Sequence, residues 1–376
     1  MIRLLAYPAK LFSPISELEM SRNTEIRTAA IGVGAIGGTL AGFMSKEGEN
    51  VLLIDPWREH VDAMNEKGLT LDGVVGDHVA KVKAIHTDQI PNIEGTFDLI
   101  IVSVKSYDTK KAIKAMLPYM RGDTWVVSPQ NSINETQIAP LVGAERTLGC
   151  ITTISAEIYE PAHITRTGSV SQSLQKEPLC FKVGELNGEI TPRVERIAEL
   201  FSSAGKTLPT NDLWGERWSK MVTNCMVNAT AAMTGMMSHE VRANEISRAQ
   251  ILNLAIETIR VGRSLGYNVM TPMGDFTLGD MEKAAGPEGH PKLDALLSGT
   301  APSVPGRPSM AQDIIKGRAT EIEYLNGMIS QKGRQIGVLT PYNDAVVEIL
   351  KGVESGEFSV ELKNLERVAR IVGSSQ

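Results

Sequence analysis

Ala29-Ala30-Ile31-Gly32-Val33-Gly34-Ala35-Ile36-Gly37, followed by Val51-Leu52-Leu53-Ile54-Asp55, is the stretch that decides the fold. A short apolar run leads into three glycines spaced Gly-x-Gly-x-x-Gly. A helical pattern then runs to about Glu47 and meets Gly48, the residue type that commonly ends helices. The second apolar run is a buried strand. Strand, glycine turn, helix and strand make one βαβ unit. A lone glycine pattern matches by chance; here it follows a strand, opens a helix and is answered by Asp55, eighteen residues beyond Gly37. That context predicts a dinucleotide-binding turn. Gly32 permits the tight turn, Gly34 lets backbone N–H groups approach a pyrophosphate, and Gly37 lets helix and strand pack closely. Gly32, Gly34, Ala35, Ile36 and Gly37 are therefore the expected cofactor-binding positions, with the helix N-terminus favouring the anion. Asp55 is placed to accept hydrogen bonds from a ribose diol. The bland alternatives are a glycine turn without nucleotide and a strand-end turn residue before Pro56.

Outward from this unit, further strands read at 97–104, 124–128 and 147–153, and helices at 107–117, 134–141 and 191–204. Leu99-Ile100-Ile101-Val102 is continuously apolar, as suits a parallel strand covered on both faces. After Asp212 the strand signals fade. Residues 214–233, 241–265, 309–332 and 342–352 all read as helices. Residues 270–308, rich in Gly and Pro, read as a loop or lid with one short helix at 292–297.

The length of 376 residues suits two packed domains. The expected division is an extension over 1–27 without a targeting role, an α/β domain over 28–211, and a helical substrate and dimerisation domain over 212–376. The net charge of −6 disfavours a general nucleic-acid coat, though a local cationic pocket for a small anion needs only one or two basic residues. Cys150, Cys180 and Cys225 stand far apart, which points to a reducing, cytoplasmic compartment. The six histidines form no zinc pattern, and no apolar run is long enough to span a membrane. Apolar faces such as Ile251-Leu252 and Leu254-Ala255 suggest a homodimer.

In the second half, Lys220, Asn224 and Asn228 fall at i, i+4 and i+8 and share one helix face, with Met221, Val222, Cys225, Met226 and Val227 on the others. Taken alone this is a solvated stripe. It stands with Val104-Lys105-Ser106-Tyr107 and Pro129-Gln130-Asn131-Ser132 at strand ends. Ser309-Met310 and Thr320-Glu321-Ile322-Glu323-Tyr324-Leu325-Asn326-Gly327 complete the set. Together these residues resemble the ketopantoate reductase (2-dehydropantoate 2-reductase) family over about residues 28–370. The resemblance implies a Rossmann-type domain with a helical second domain. It also implies NAD- or NADP-dependent hydride transfer to a small 2-oxo acid, and a place in pantothenate biosynthesis. By position it implies Lys220 and Glu321 as catalytic residues. Asn131, Asn224, Asn228 and Ser309 would contact substrate, and Lys105, again with Asn131, would lie at the cofactor edge. On this reading Lys220 donates the proton, while Glu321 orients Lys220 or holds the substrate hydroxyl.

The chain departs from the family pattern at three places. Asp55-Pro56-Trp57-Arg58 stands where a basic residue for a 2′-phosphate is usual, which tilts the expectation toward NAD. Ser132 replaces a glycine, and 270–308 is longer than the usual connection. Two other readings compete: a dehydrogenase oxidising a different hydroxy acid or alcohol, and a nucleotide-binding sensor without turnover. A sensor needs no proton donor such as Lys220. Gly262-Arg263-Ser264-Leu265-Gly266 has the form of a hydrolase elbow, but a helical run precedes it where a strand is required.

Overall fold

The computed structural model describes residues 25–169, 178–299 and 301–374; most of the 1–27 extension lies outside them. Twelve strands are described: β1 (Thr28–Ile31), β2 (Val51–Asp55), β3 (Leu69–Gly73), β4 (His78–Ala80), β5 (Lys83–His86), β6 (Phe97–Val102), β7 (Met120–Ser128), β8 (Thr147–Thr152), β9 (Ser155–Glu160), β10 (His163–Thr167), β11 (Phe181–Glu185) and β12 (Thr207–Pro209). The α/β half also carries α1 (Ala35–Lys46), α2 (Arg58–Lys67), α3 (Thr109–Met116), α4 (Glu135–Val142) and α5 (Pro192–Phe201). Its main sheet has the order β5-β2-β1-β6-β7-β8-β11-β12. The first six run parallel, and β11 is antiparallel to β8. Leu99, Ile100, Ile101 and Val102 are wholly buried, as their continuous apolarity predicts. The chain leaves β1 toward β2 and returns to β6 on the other side. The crevice beyond the carboxyl ends of β1 and β6 is therefore the topological switch point, where open α/β sheets bind ligands.

A second sheet, β4-β3-β10-β9, was not foreseen. It covers α1 from the far side, so residues 37–44 of that helix are all buried. A side chain at Gly38 would strike Ile164, and one at Gly42 would strike Leu69 and Leu71. The glycines of α1 thus serve two sheets.

The helical half consists of α6 (Leu213–Thr234), α7 (Ser238–Ala243), α8 (Glu245–Ser264), α9 (Leu278–Ala285), α10 (Pro291–Leu297), α11 (Ser309–Ile315), α12 (Asn326–Ile336), α13 (Pro341–Ser355) and α14 (Lys363–Ser374). The Asp212 carboxylate caps α6 by accepting from Gly215 N at 3.0 Å, and Gly235 ends it at φ +79°. Helices α8, α11, α13 and α14 pack around α6. The start of α6 is locked to the sheet by Arg217. Its guanidinium donates to Ser128 O and Gln130 O, both at 2.6 Å, and to the Glu135 carboxylate, all buried.

Several expected elements differ. The single helix over 241–265 is two, α7 and α8, because Asn244 leaves the helix and caps the second by accepting from Ser247 N at 3.0 Å. The helix over 309–332 is also broken. Gly317 takes φ +62°, and the chain reaches α12 only at Asn326 after a short 3₁₀ turn. The 270–308 segment contains α10 where a helix was expected, and α9 besides, capped by Thr277 and Asp280. Its Met273, Met281, Leu293 and Leu297 are buried in the helical core, so it is a packed part of that half rather than a bare loop. Ile251, Leu252, Leu254 and Ala255 are fully buried within the one chain and offer no face to a second copy. Gly262 and Ser264 lie in α8, and Gly266 stops it at φ +90°, which removes the hydrolase elbow.

Replacing Arg217 by Met should destabilise the fold by about 3–5 kcal/mol, because the Glu135 charge is left buried and unpaired. Urea unfolding of the variant beside the parent protein measures it.

Candidate active site

The glycine turn follows β1 at the switch point. Gly32 sits at φ +88°, and a Cβ there would lie 2.5 Å from Val104 N; at Gly37 a Cβ would lie 2.2 Å from Gly32 O. At Gly34 the space is open, with nothing within 4 Å of such an atom. No side chain caps α1, and its first turn carries no acidic residue. An open cradle at a bare helix N-terminus fits a pyrophosphate, so the residues present suit a dinucleotide. Gly34, Ala35 and Ile36 would hold it, with Gly32 and Gly37 shaping the turn.

Asp55 lies beneath this cradle. Its Oδ2 accepts from Val33 N at 2.7 Å and its Oδ1 from Trp57 N at 2.9 Å, and the residue is 8% exposed. The carboxylate thus braces the glycine turn. His60 supports the same peptide and was not singled out from the sequence. Its Nδ1 accepts from Ala162 N at 2.8 Å, which leaves Nε2 to donate to Val33 O at 2.9 Å. Burial holds this ring below its usual pKa, against the opposing pull of Asp55. Arg58 is on the surface, paired with Asp88 at 3.2 Å.

Across the crevice stand residues from both halves. Lys105 follows β6, and its ammonium meets Asp313 at 2.5 Å and Glu321 at 3.5 Å. Burial works against that charge, but Glu321 and Asp313 outweigh it and hold the Lys105 pKa above the ordinary lysine range. Glu321 Oε1 accepts from Ser106 N at 2.9 Å and from Ser106 Oγ at 2.7 Å. Asn134 Nδ2 donates both to Ser106 Oγ at 3.0 Å and to Asn131 O at 2.6 Å. Asp313 comes from α11 itself, and after the break that follows it the chain brings Glu321 to the same ammonium. Ser132, where the family pattern has glycine, takes φ +70° and donates through Oγ to Tyr324 O at 2.6 Å. Its hydroxyl ties the α/β half to the helical half, which offsets the cost of a left-handed serine.

The polar face of α6 closes the site. Asn224 Nδ2 donates to Asn131 Oδ1 at 3.1 Å, so the helix face and the β7 end are in contact. Asn228 is buried, and Ser309 Oγ at the start of α11 is buried with no partner among the described residues. Lys220 makes no hydrogen bond or ion pair among the described residues, and burial alone pulls its ammonium down to about 8. Glu321 does not orient Lys220: its carboxylate is taken by Lys105 and Ser106. Asp313 and Arg217 were missed from sequence. Asp313 is in the distinctive 308–327 segment and Arg217 is one turn before Lys220, but neither spacing names its partner.

Residues 28–177 match the family described as ketopantoate reductase PanE/ApbA, and residues 212–354 match its C-terminal counterpart. The chain belongs to the ketopantoate reductase family. It is a nicotinamide-dependent oxidoreductase acting on the CH–OH/carbonyl pair of 2-oxo acids. The 2-dehydropantoate 2-reductase of Pyrococcus abyssi is 30% identical over 87% of this chain and 97% of its own. Among solved structures, a PanE/ApbA family ketopantoate reductase from Ralstonia eutropha is 25% identical, with a TM-score of 0.67 over 88% of this chain and 99% of that one. A D-mandelate dehydrogenase complex with NADH and anilino(oxo)acetate is 24% identical, with a TM-score of 0.71 over the same shares. The likeness to the last shows the shared fold.

Lys220 should titrate near pH 8, well below an ordinary lysine. NMR of the isotope-labelled side chain, assigned with Lys220→Arg, reads the midpoint directly.

Proposed function

We propose that this cleft reduces ketopantoate or a close relative and that Lys220 is its general acid. The observation that carries the reading is Lys220 itself: a desolvated ammonium without a protein partner, on a helix face otherwise built of amides. When bound, the reduced nicotinamide supplies the hydride. Negative charge then grows on the substrate's carbonyl oxygen. An unpaired ammonium is free to stabilise that oxygen and to give it a proton, and a pKa near neutral suits the transfer. Asn131, Asn224, Asn228 and Ser309 offer amide and hydroxyl groups for the substrate's carboxylate and distal hydroxyl. Glu321 Oε1 is held by Ser106, while Oε2, with Lys105 3.5 Å away, accepts no hydrogen bond among the described residues and can accept from the substrate hydroxyl. A cytoplasmic homodimer belongs to the same reading, and a monomeric mass in solution would remove its second half.

The proposal extends to cofactor choice. A swing of Asp55 away from the ribose would make room for a 2′-phosphate, but that carboxylate is held by two backbone N–H groups. Arg58, the candidate phosphate partner, is engaged with Asp88. Both features favour NADH. Two like charges about 4 Å apart repel by roughly 4 kcal/mol at an effective dielectric of about 20, and a quarter of that is about a fivefold preference.

Lys220→Ala should lower kcat by roughly 10²–10⁴-fold while cofactor affinity stays within a few-fold. In the parent enzyme the reductive rate should fall as pH rises through about 8, where the ammonium loses its proton. A pH–rate profile of both proteins with ketopantoate checks the rates, and a fluorescence titration with the reduced nicotinamide checks the affinity. The ratio of kcat/KM for NADH over NADPH should be about five, and Asp55→Asn, which removes the charge but keeps an acceptor for Val33, should bring it toward one.

A further inference from the structure

The long 270–308 segment builds something the reaction above does not use. Its residues close one wall of a cavity of about 780 Å³ against α6, within the usual range of ligand pockets. Thr223, Met226 and Val227 of α6 form the opposite wall; Met273, Phe276 and Leu297 come from the segment. The cavity does not contain Lys220, Asn224 or Asn228. It shares α6 with them. At about 100° per residue, Val227 lies within about 20° of Lys220 around the helix, roughly 10 Å further along the axis. Thr223 and Met226 lie about 60° and 120° from Lys220 on the side away from Asn224 and Asn228, so the cavity wall adjoins the Lys220 edge of the polar face rather than the amides.

The lining is mostly apolar but not neutral. Arg242, from α7, reaches the cavity half-buried and has no hydrogen bond or ion pair among the described residues. Burial pulls its guanidinium below the usual range, as expected of a charge that lacks an anion. Lys292 stands exposed at the rim as a second cation, and Asp275, also exposed, is the one carboxylate in the lining. A guanidinium pairs best with a carboxylate or phosphate, two oxygens at a time. Met226 and Met273 are the side chains that adapt most readily to an irregular apolar occupant.

We propose that this cavity receives the tail of the substrate, and that the tail is an apolar chain of several carbons ending in an acidic group held by Arg242. This rests on the 2-oxo acid reading of the site and narrows its substrate class: a 2-oxo acid larger than ketopantoate, with a second anion at its far end.

The test uses matched pairs of straight-chain substrates, 2-oxo diacids from 2-oxohexanedioate to 2-oxodecanedioate beside the 2-oxo monoacids of equal length. At the best length the wild-type enzyme should favour the diacid in kcat/KM by at least tenfold. Arg242→Met should bring that ratio toward one, chiefly through KM of the diacid, and Arg242→Lys should restore part of it. A wild-type ratio near one, or a ratio that Arg242→Met leaves unchanged, overturns the proposal. Calorimetry with octanedioate, which has no reducible group, separates the two readings. Binding that is lost in Arg242→Met sustains the pocket even if no 2-oxo acid is turned over, in which case the reductase reading falls alone. No binding, or equal binding by both proteins, refutes the pocket whatever the turnover.

Discussion

The site depends on the grip of Arg217. Its guanidinium ties the first turns of α6 to the carbonyl groups of Ser128 and Gln130, where β7 ends, and to Glu135 of α4. Every polar residue of the α6 face lies downstream of that anchor, on a rigid helix rising about 1.5 Å per residue. Lys220 is three residues on, and Asn224, one turn further, touches Asn131 just past the same strand end. A buried ion pair is weak evidence for stability in itself, since desolvation consumes most of its attraction. Here its effect is geometric. It sets where an all-helical layer begins relative to a sheet whose carboxyl edge holds the cofactor cradle.

A second set of contacts closes the cleft further out. Lys105 reaches from the end of β6 to Asp313 and Glu321, and Ser132 reaches to Tyr324. The two lysines facing the cleft are thus treated in opposite ways. Lys105 is saturated by two carboxylates and keeps its charge; Lys220 has none and is driven toward neutrality by burial. Titratable groups of one kind pushed apart by their surroundings mark a division of labour. The saturated cation joins the two halves of the chain, and the bare one has no counter-charge among the described residues.

Much of this was legible in the sequence because it is local. The βαβ unit, the glycine spacing and the polar face of α6 are written in residues a few positions apart, where period and turn chemistry decide. The second sheet was not legible, since β3 and β10 pair across about ninety residues and each is too short to show its alternation clearly. The split of 309–332 was hidden for another reason. Gly317 takes φ +62° there, and the carboxylates on either side of it, Asp313 and Glu321, meet Lys105 more than two hundred residues away, a pairing no local period shows. Asp55 was read by type and position alone. Its bond to Val33 N joins the first and second strands' ends, a pairing that no spacing rule supplies.

The 270–308 segment shows how a Gly- and Pro-rich composition misleads. Such residues interrupt helical periodicity, so the stretch reads as a loop. Four apolar anchors, Met273, Met281, Leu293 and Leu297, are nonetheless spaced so that two short helices bury them in the helical core. Once anchored, the segment cannot act as a freely swinging lid without opening that core. What remains adjustable is its inner surface, where Phe276 and Leu296 look onto the cavity beside α6. In this chain the polar residues of α6 are fixed on a rigid helix anchored by Arg217, while the segment facing the neighbouring side of that helix is built from two short helices joined by irregular chain.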